Sequence, residues 1–187
     1  MMLIRHEFVA THEESLLLII DIQQTMLKVI PAWEGVAREV TRLVRAARIV
    51  DVPILLTEQY PKGLGGTIPE VLREVPSPRV FQKESFSACL ESDFLPTLRG
   101  FHRPRIVVVG METHVCVLQT ALDLIASGFQ VQLAADAVAS RTTENRDIAI
   151  HILRQAGAVV TSAETVIFQW ARRANTDSFR RILPVVK

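Results

Sequence analysis

The chain has 187 residues, 49% of them hydrophobic and 22% charged, with a formal net charge of +1. That is the length of one domain able to bury about two-thirds of its unfolded surface, with the composition of an ordinary soluble globular protein. The near-zero charge and scattered Lys and Arg leave no electrostatic footprint for nucleic acid or an anionic membrane, and apolar runs such as Leu16–Ile20 are too short to span a bilayer.

Residues 1–15 carry Arg5, His6, Glu7, His12, Glu13 and Glu14 and lack the apolar segment of a signal peptide. They read as an N-terminal extension of a cytoplasmic protein. Leu16–Ile20 is then a strand, followed by Asp21-Ile22-Gln23. Val36, Val40, Leu43, Val44 and Ala47 recur at helical spacing. Ile54–Leu56 is a second strand, followed by Thr57-Glu58-Gln59-Tyr60. From Tyr60 to Pro78 the chain is rich in Gly and Pro and reads as a long functional loop with at most a short helix near Pro69–Glu74. Arg79–Phe81 is a third strand, followed by Gln82-Lys83-Glu84-Ser85-Phe86-Ser87.

Ile106–Val109 is the fourth strand, entered after Gly100 and left through Gly110-Met111-Glu112-Thr113-His114-Val115-Cys116. Val117, Ala121, Leu124 and Ile125 predict a helix that opens at Cys116 and stops near Ser127-Gly128. Val131–Leu133 is a fifth strand, followed by Asp136 to Arg141. Thr142-Thr143-Glu144 caps a helix with Ile148, Ile152 and Leu153, and Gly157 precedes a sixth strand, Ala158–Val160. Residues 176–187 predict a last surface helix ended by Pro184. Continuous apolar strands alternating with helices argue for one α/β domain over 1–187, an open parallel sheet with helices on both faces.

In such sheets ligands bind beyond the carboxyl ends of the strands. There Cys116, at a strand-to-helix turn, meets unpaired N–H groups and a helix dipole that stabilise a thiolate and receive an oxyanion. Position alone weighs this evenly against a small buried core thiol. Asp21 ends an apolar strand, where desolvation fits it to accept a thiol proton, although a strand-end Asp is often a backbone cap. Lys83 is placed to pair with Asp21 and hold charge, although most lysines are simply solvated. The two cysteines, Cys89 and Cys116, form neither a CxxC pair nor a disulfide ladder.

Asp21-Ile22-Gln23, Lys83-Glu84-Ser85-Phe86-Ser87 and Gly110-Met111-Glu112-Thr113-His114-Val115-Cys116, followed by Thr120-Ala121-Leu122-Asp123, resemble the isochorismatase-like cysteine hydrolases. The likeness runs from about Leu16 to Trp170. It implies a three-layer α-β-α fold with six parallel strands in the order 3-2-1-4-5-6, which sets Asp21 and Cys116 on either side of the switch point. It implies an Asp-Lys-Cys triad, here Asp21, Lys83 and Cys116, and a cis non-proline peptide joining Met111 to Glu112, whose N–H joins that of Cys116 in an oxyanion hole. Thr57 to Gly65 looks most like the isochorismatase domain-containing branch. The His-containing metal motif of nicotinamidases has no counterpart in Glu58-Gln59-Tyr60, so the resemblance implies neither metal nor cofactor. It also implies a homo-oligomer acting on a small molecule.

Gln23, Tyr60, Phe86 and His114 are candidate substrate contacts, set against ordinary packing roles. Asp136 and Arg141 read as a structural turn pair, Cys89 as a packed thiol, and Trp33 and Trp170 as packing or interface residues. The expected activity is hydrolysis of an amide, carbamate or related acyl substrate through a covalent thioester-type intermediate. The alternatives are an isochorismatase-type vinyl-ether hydrolase and a catalytically idle binding or assembly scaffold.

Overall fold

The computed structural model describes residues 5–187; the first four positions of the extension predicted over 1–15 lie outside the described residues. Strand β1 (Ser15–Ile20) has every residue buried and divides its side chains by the period of two that a pleated strand imposes. Leu17 and Ile19 join one apolar cluster, and Leu16, Leu18 and Ile20 join another on the opposite face. A strand buried on both faces belongs in the middle of a sheet. β1 pairs in parallel with β2 (Ile54–Gln59) on one side and β4 (Arg105–Met111) on the other. Outside them lie β3 (Val80–Lys83), β5 (Gln130–Ala139) and β6 (Val159–Thr161), giving the order β3-β2-β1-β4-β5-β6.

Helix α1 (Trp33–Ile49) presents Val36, Val40, Leu43, Val44 and Ala47 to one face of the sheet, as their spacing requires. The turns α2 (Pro61–Leu64) and α3 (Pro69–Leu72) lie in the Gly/Pro-rich stretch, the second where the sequence predicts it. Helices α4 (Phe94–Arg99), α5 (Leu118–Ala126) and α6 (Thr143–Gln155) contribute Phe94, Leu98, Ala121, Leu124, Ile150 and Leu153 to the opposite face. The predicted cap of α6 forms, with the Thr142 hydroxyl accepting from the N–H of Asn145 at 3.3 Å. α7 (Ala163–Ala171) and α8 (Asp177–Val186) complete the α1 side. There Trp170 is fully buried and its Nε1 donates to Ser15 Oγ at 3.1 Å.

Several boundaries differ from the sequence reading, among them β3, which runs on to Lys83, and β5, which runs on to Ala139. β2 continues through Thr57-Glu58-Gln59, polar residues that a hydropathy pattern ends on but that remain buried because each has a hydrogen-bond partner, described below. α8 passes through Pro184 instead of ending there. A proline one turn from a helix end forfeits a single N–H bond, and Arg42 of α1 supplies others by donating to the carbonyls of Val185 and Val186. Finally, the helix carrying Cys116 starts earlier than expected, in a π-helical turn over Thr113–Val117 that runs into α5. The widened turn is closed by Val117 N–H donating to Glu112 O at 3.2 Å.

Gly110 governs how closely β4 approaches β1. Its φ is +125°, and a Cβ there would lie 2.0 Å from the backbone oxygen of Ile20. The two strands therefore meet without a side chain between them just before Asp21 and Cys116 emerge. Gly110→Ala is expected to lower unfolding free energy by roughly 3 kcal/mol or more, combining overpacking with backbone strain. Denaturant midpoints read against the parent protein check this.

Candidate active site

Asp21 leaves β1 in a left-handed conformation, φ 50°, that turns the chain off the sheet while its side chain stays only 3% exposed. Each carboxylate oxygen is held: Thr57 Oγ1 donates to Oδ1 at 2.6 Å and Lys83 Nζ donates to Oδ2 at 2.7 Å. Lys83 ends β3, two strands away, and its side chain is fully buried. Its remaining hydrogen-bond capacity goes to Gln59 Oε1 at 2.6 Å and to the carbonyls of Ser85 and Phe86 at 3.3 Å. A charge pair so dry persists only where every donor and lone pair is met, and here the polar end of β2 meets them.

Cys116 arrives from the other side of the switch point, 6% exposed, and neighbours both Asp21 and Lys83. Burial, and then the field of the Asp21 carboxylate, push its thiol up to about 12, with Lys83 pulling the other way. This corrects the expectation of a thiolate set by a helix start. Cys116 sits inside the π-helical turn, and desolvation with a carboxylate beside it outweighs the dipole. The resting group is a thiol. Cys89, within the Ala88–Leu90 turn, is pushed up to about 11 by burial and by Asp123. In the folded protein at pH 8 both cysteines are therefore expected to react with a disulfide reagent far more slowly than an exposed thiol, and both promptly after denaturation.

Asp21 and Cys116 open into a cavity of about 380 Å³ with Met26, Val29, Leu64, Phe86, Met111 and Val115 as its apolar wall. Gln59, Glu112 and Arg141 complete the lining. The Met111–Glu112 peptide is cis, as the resemblance implies.

Of the suggested substrate contacts, Phe86 lines this cavity, 55% exposed at its mouth. The others do not. Gln23 is fully buried and clamps the loop after β2, donating to the carbonyls of Gln59 and Gly65 and accepting from the N–H of Gln59. Tyr60 takes φ 37° and turns to the far side of Lys83, lining a separate depression with Lys62 and Gln82. His114 is engaged elsewhere, its Nδ1 2.9 Å from Ser140 Oγ. The physical reason is common to all three: adjacent turn residues diverge, so proximity in sequence to a catalytic side chain does not direct a neighbour into the same space.

Arg141 was missed. It pairs not with Asp136 but with Glu112, donating to Oε2 from its backbone N–H at 2.9 Å and from Nε at 3.1 Å. Asp136 instead caps α7 through the N–H of Ala163 at 2.8 Å. Asp136 lies within β5 and Arg141 two residues past its end; the last residues of that strand run alongside β4 at Gly110↔Val138 and Met111↔Ala139, which carries Arg141 to the cavity. Glu58, in the stretch compared with the nicotinamidase metal motif, accepts from the N–H and hydroxyl of Thr67 at 2.7 and 2.8 Å and so anchors the loop after β2.

The sequence over residues 15–165 matches the family model described as Isochorismatase domain. Isochorismatase family protein 1B of Dictyostelium discoideum is 39% identical over 180 residues, covering 94% of this chain and 87% of that protein. Isochorismatase domain-containing protein 2A of Mus musculus is 36% identical over 180 residues, covering 94% and 84%. Among solved structures, one described as MAR1 ribonuclease from Caenorhabditis elegans has a TM-score of 0.89 at 33% identity, covering 95% of this chain and 91% of that chain.

Proposed function

Because this chain belongs to the isochorismatase family, we propose that it is a cysteine-dependent hydrolase of a small molecule, an amide, carbamate or related acyl compound. The observation that carries this reading is the burial of Asp21, Lys83 and Cys116 together, with the thiol and carboxylate opening into one mostly apolar cavity. A buried thiol beside a carboxylate that a lysine hydrogen-bonds at 2.7 Å has the arrangement of a nucleophile and its base.

Asp21 takes the Cys116 proton as sulfur attacks the acyl carbon, and the S–C bond forms as the carbonyl π electrons move to oxygen. The N–H groups of Glu112 and Cys116 receive that oxyanion. Its collapse expels the amine, which takes the proton from Asp21 and leaves a thioester. Water, deprotonated by Asp21, then adds to the thioester, and the acid leaves as the proton returns to sulfur. Lys83 holds Asp21 in place and offsets negative charge throughout. A volume of about 380 Å³ suits a small substrate.

Asp21 and Lys83 act on the thiol in opposite directions, which gives this reading a distinctive test. Asp21→Asn removes one cause of the raised thiol pKa and leaves burial alone to oppose Lys83. Iodoacetamide should then alkylate Cys116 faster at pH 7 than in the parent protein, while hydrolysis falls by about a hundredfold or more through loss of the base. Slower alkylation would show that the Asp21 field does not hold the thiol pKa up, and hydrolysis at the parental rate in Asp21→Asn would sink the proton-transfer scheme.

The worm relative's description names a ribonuclease. RNA cleavage calls for a basic track over phosphates, whereas this chain has a net charge of +1 and Arg141 is the cation lining the cavity. The small-molecule reading therefore stands first. With it we propose a homo-oligomer, for which exposed Phe86 and Leu90 are candidate contact residues. Among the described residues no helix is long and apolar enough to cross a membrane.

A further inference from the structure

At the amino end of β4, about 20 Å along the strand from the thiol end, Arg105 is 3% exposed. Among the described residues its guanidinium makes no hydrogen bond or ion pair, and its Nε is fully buried without a partner. This is unusual chemistry. The other buried cation, Lys83, has four hydrogen-bond acceptors within 3.3 Å. Burial pulls the pKa of Arg105 down against the fields of Glu14 and Glu7, so the cost of its desolvation is uncompensated by contact.

Arg105 lines a cavity of about 510 Å³ roofed by the N-terminal segment, where Arg5, His6, Glu7, Glu13, Glu14 and Arg172 are its charged or titratable neighbours. Arg172 is already engaged by Glu13. Glu14 accepts only the Thr11 hydroxyl, at 3.2 Å, among its side-chain bonds.

We propose that this cavity binds a small zwitterion bearing a carboxylate and an ammonium group, of the α-amino-acid class, with Arg105 as its carboxylate fork. A guanidinium with its donors unspent takes a carboxylate through two parallel N–H···O bonds. Glu7 and Glu14 in the same lining accept an ammonium, and the three carboxylates Glu7, Glu13 and Glu14 match the three guanidiniums Arg5, Arg105 and Arg172, so the cavity has no surplus positive charge for a doubly charged anion such as phosphate. The site is separate from Cys116 and owes nothing to the reaction proposed there.

Isothermal titration of the full chain with L-alanine, propionate, isopropylamine and inorganic phosphate tests the assignment. L-alanine is expected to bind saturably, propionate more weakly, and isopropylamine and phosphate not at all. Arg105→Lys keeps the charge but loses the fork, and should weaken L-alanine roughly tenfold. Arg105→Met should abolish binding while raising the melting temperature, since an unpaired buried charge is replaced by an apolar chain of similar length. Cys116→Ala should bind L-alanine as the parent does. No saturable binding by L-alanine, equal binding by propionate, binding of phosphate alone, or a lowered melting temperature in Arg105→Met would each overturn the proposal.

Discussion

Cys116→Ala is expected to remove nearly all turnover and to abolish the covalent adduct seen by intact mass when the parent protein meets an acyl or amide substrate. Alanine preserves the packing of a small buried residue and deletes one sulfur, so stability should change by only about 1 kcal/mol. The rate effect is expected to be on the order of a thousandfold to a millionfold, because the covalent route loses the atom that forms the bond. Screening small amides and carbamates for a mass increase on Cys116 identifies the substrate class at the same time. A Cys116→Ala protein hydrolysing at the parental rate would end the thioester scheme and favour the vinyl-ether alternative. An unmodified, inert Cys116 across the panel would favour a binding or assembly role.

Lys83→Met should be the most destabilising single change at the site. It leaves the Asp21 carboxylate 3% exposed with the Thr57 hydroxyl and no counter-ion, and strips Gln59 Oε1 of its donor. Removing one partner of a buried pair costs about 3–5 kcal/mol, read as a shift of the denaturant midpoint at constant slope. Adding Asp21→Asn should recover most of that stability, because the uncompensated charge is gone, without recovering activity. Lys83→Met alone should also slow alkylation of Cys116, the opposite of Asp21→Asn, since Lys83 is the group that lowers the thiol pKa. Parallel labelling changes in the two variants would show that neither side chain sets the state of the thiol.

Much of the fold is written locally. β1 and the core of β4 are continuous aliphatic runs, and such runs are stable only between layers of helices, so both central strands are legible from hydropathy alone. The Thr142 cap of α6 is equally local. The polar end of β2 is not: Thr57, Glu58 and Gln59 look like loop residues until Asp21, Thr67 and Lys83 are there to bond them. Arg141 is hidden for a related reason. Its partner Glu112 lies 29 residues away, and nothing in the spacing reports that the end of β5 runs beside Met111.

By itself the sequence determined an α/β chain with Cys116 and Asp21 just past two strands and Lys83 at the carboxyl end of a third, because strands follow from local apolar runs. The resemblance carried by three short motifs supplied the strand order. Only the tertiary structure decided the state of the thiol. Its proton affinity depends on how much water burial removes and on how near the Asp21 carboxylate stands, and both are set by β1 and β4 meeting across Gly110. The same distinction separates Phe86, which lines the cavity, from Gln23, Tyr60 and His114, which do not. A residue's place in the chain sets which strand end it occupies, while its direction at that end is set by what packs around it.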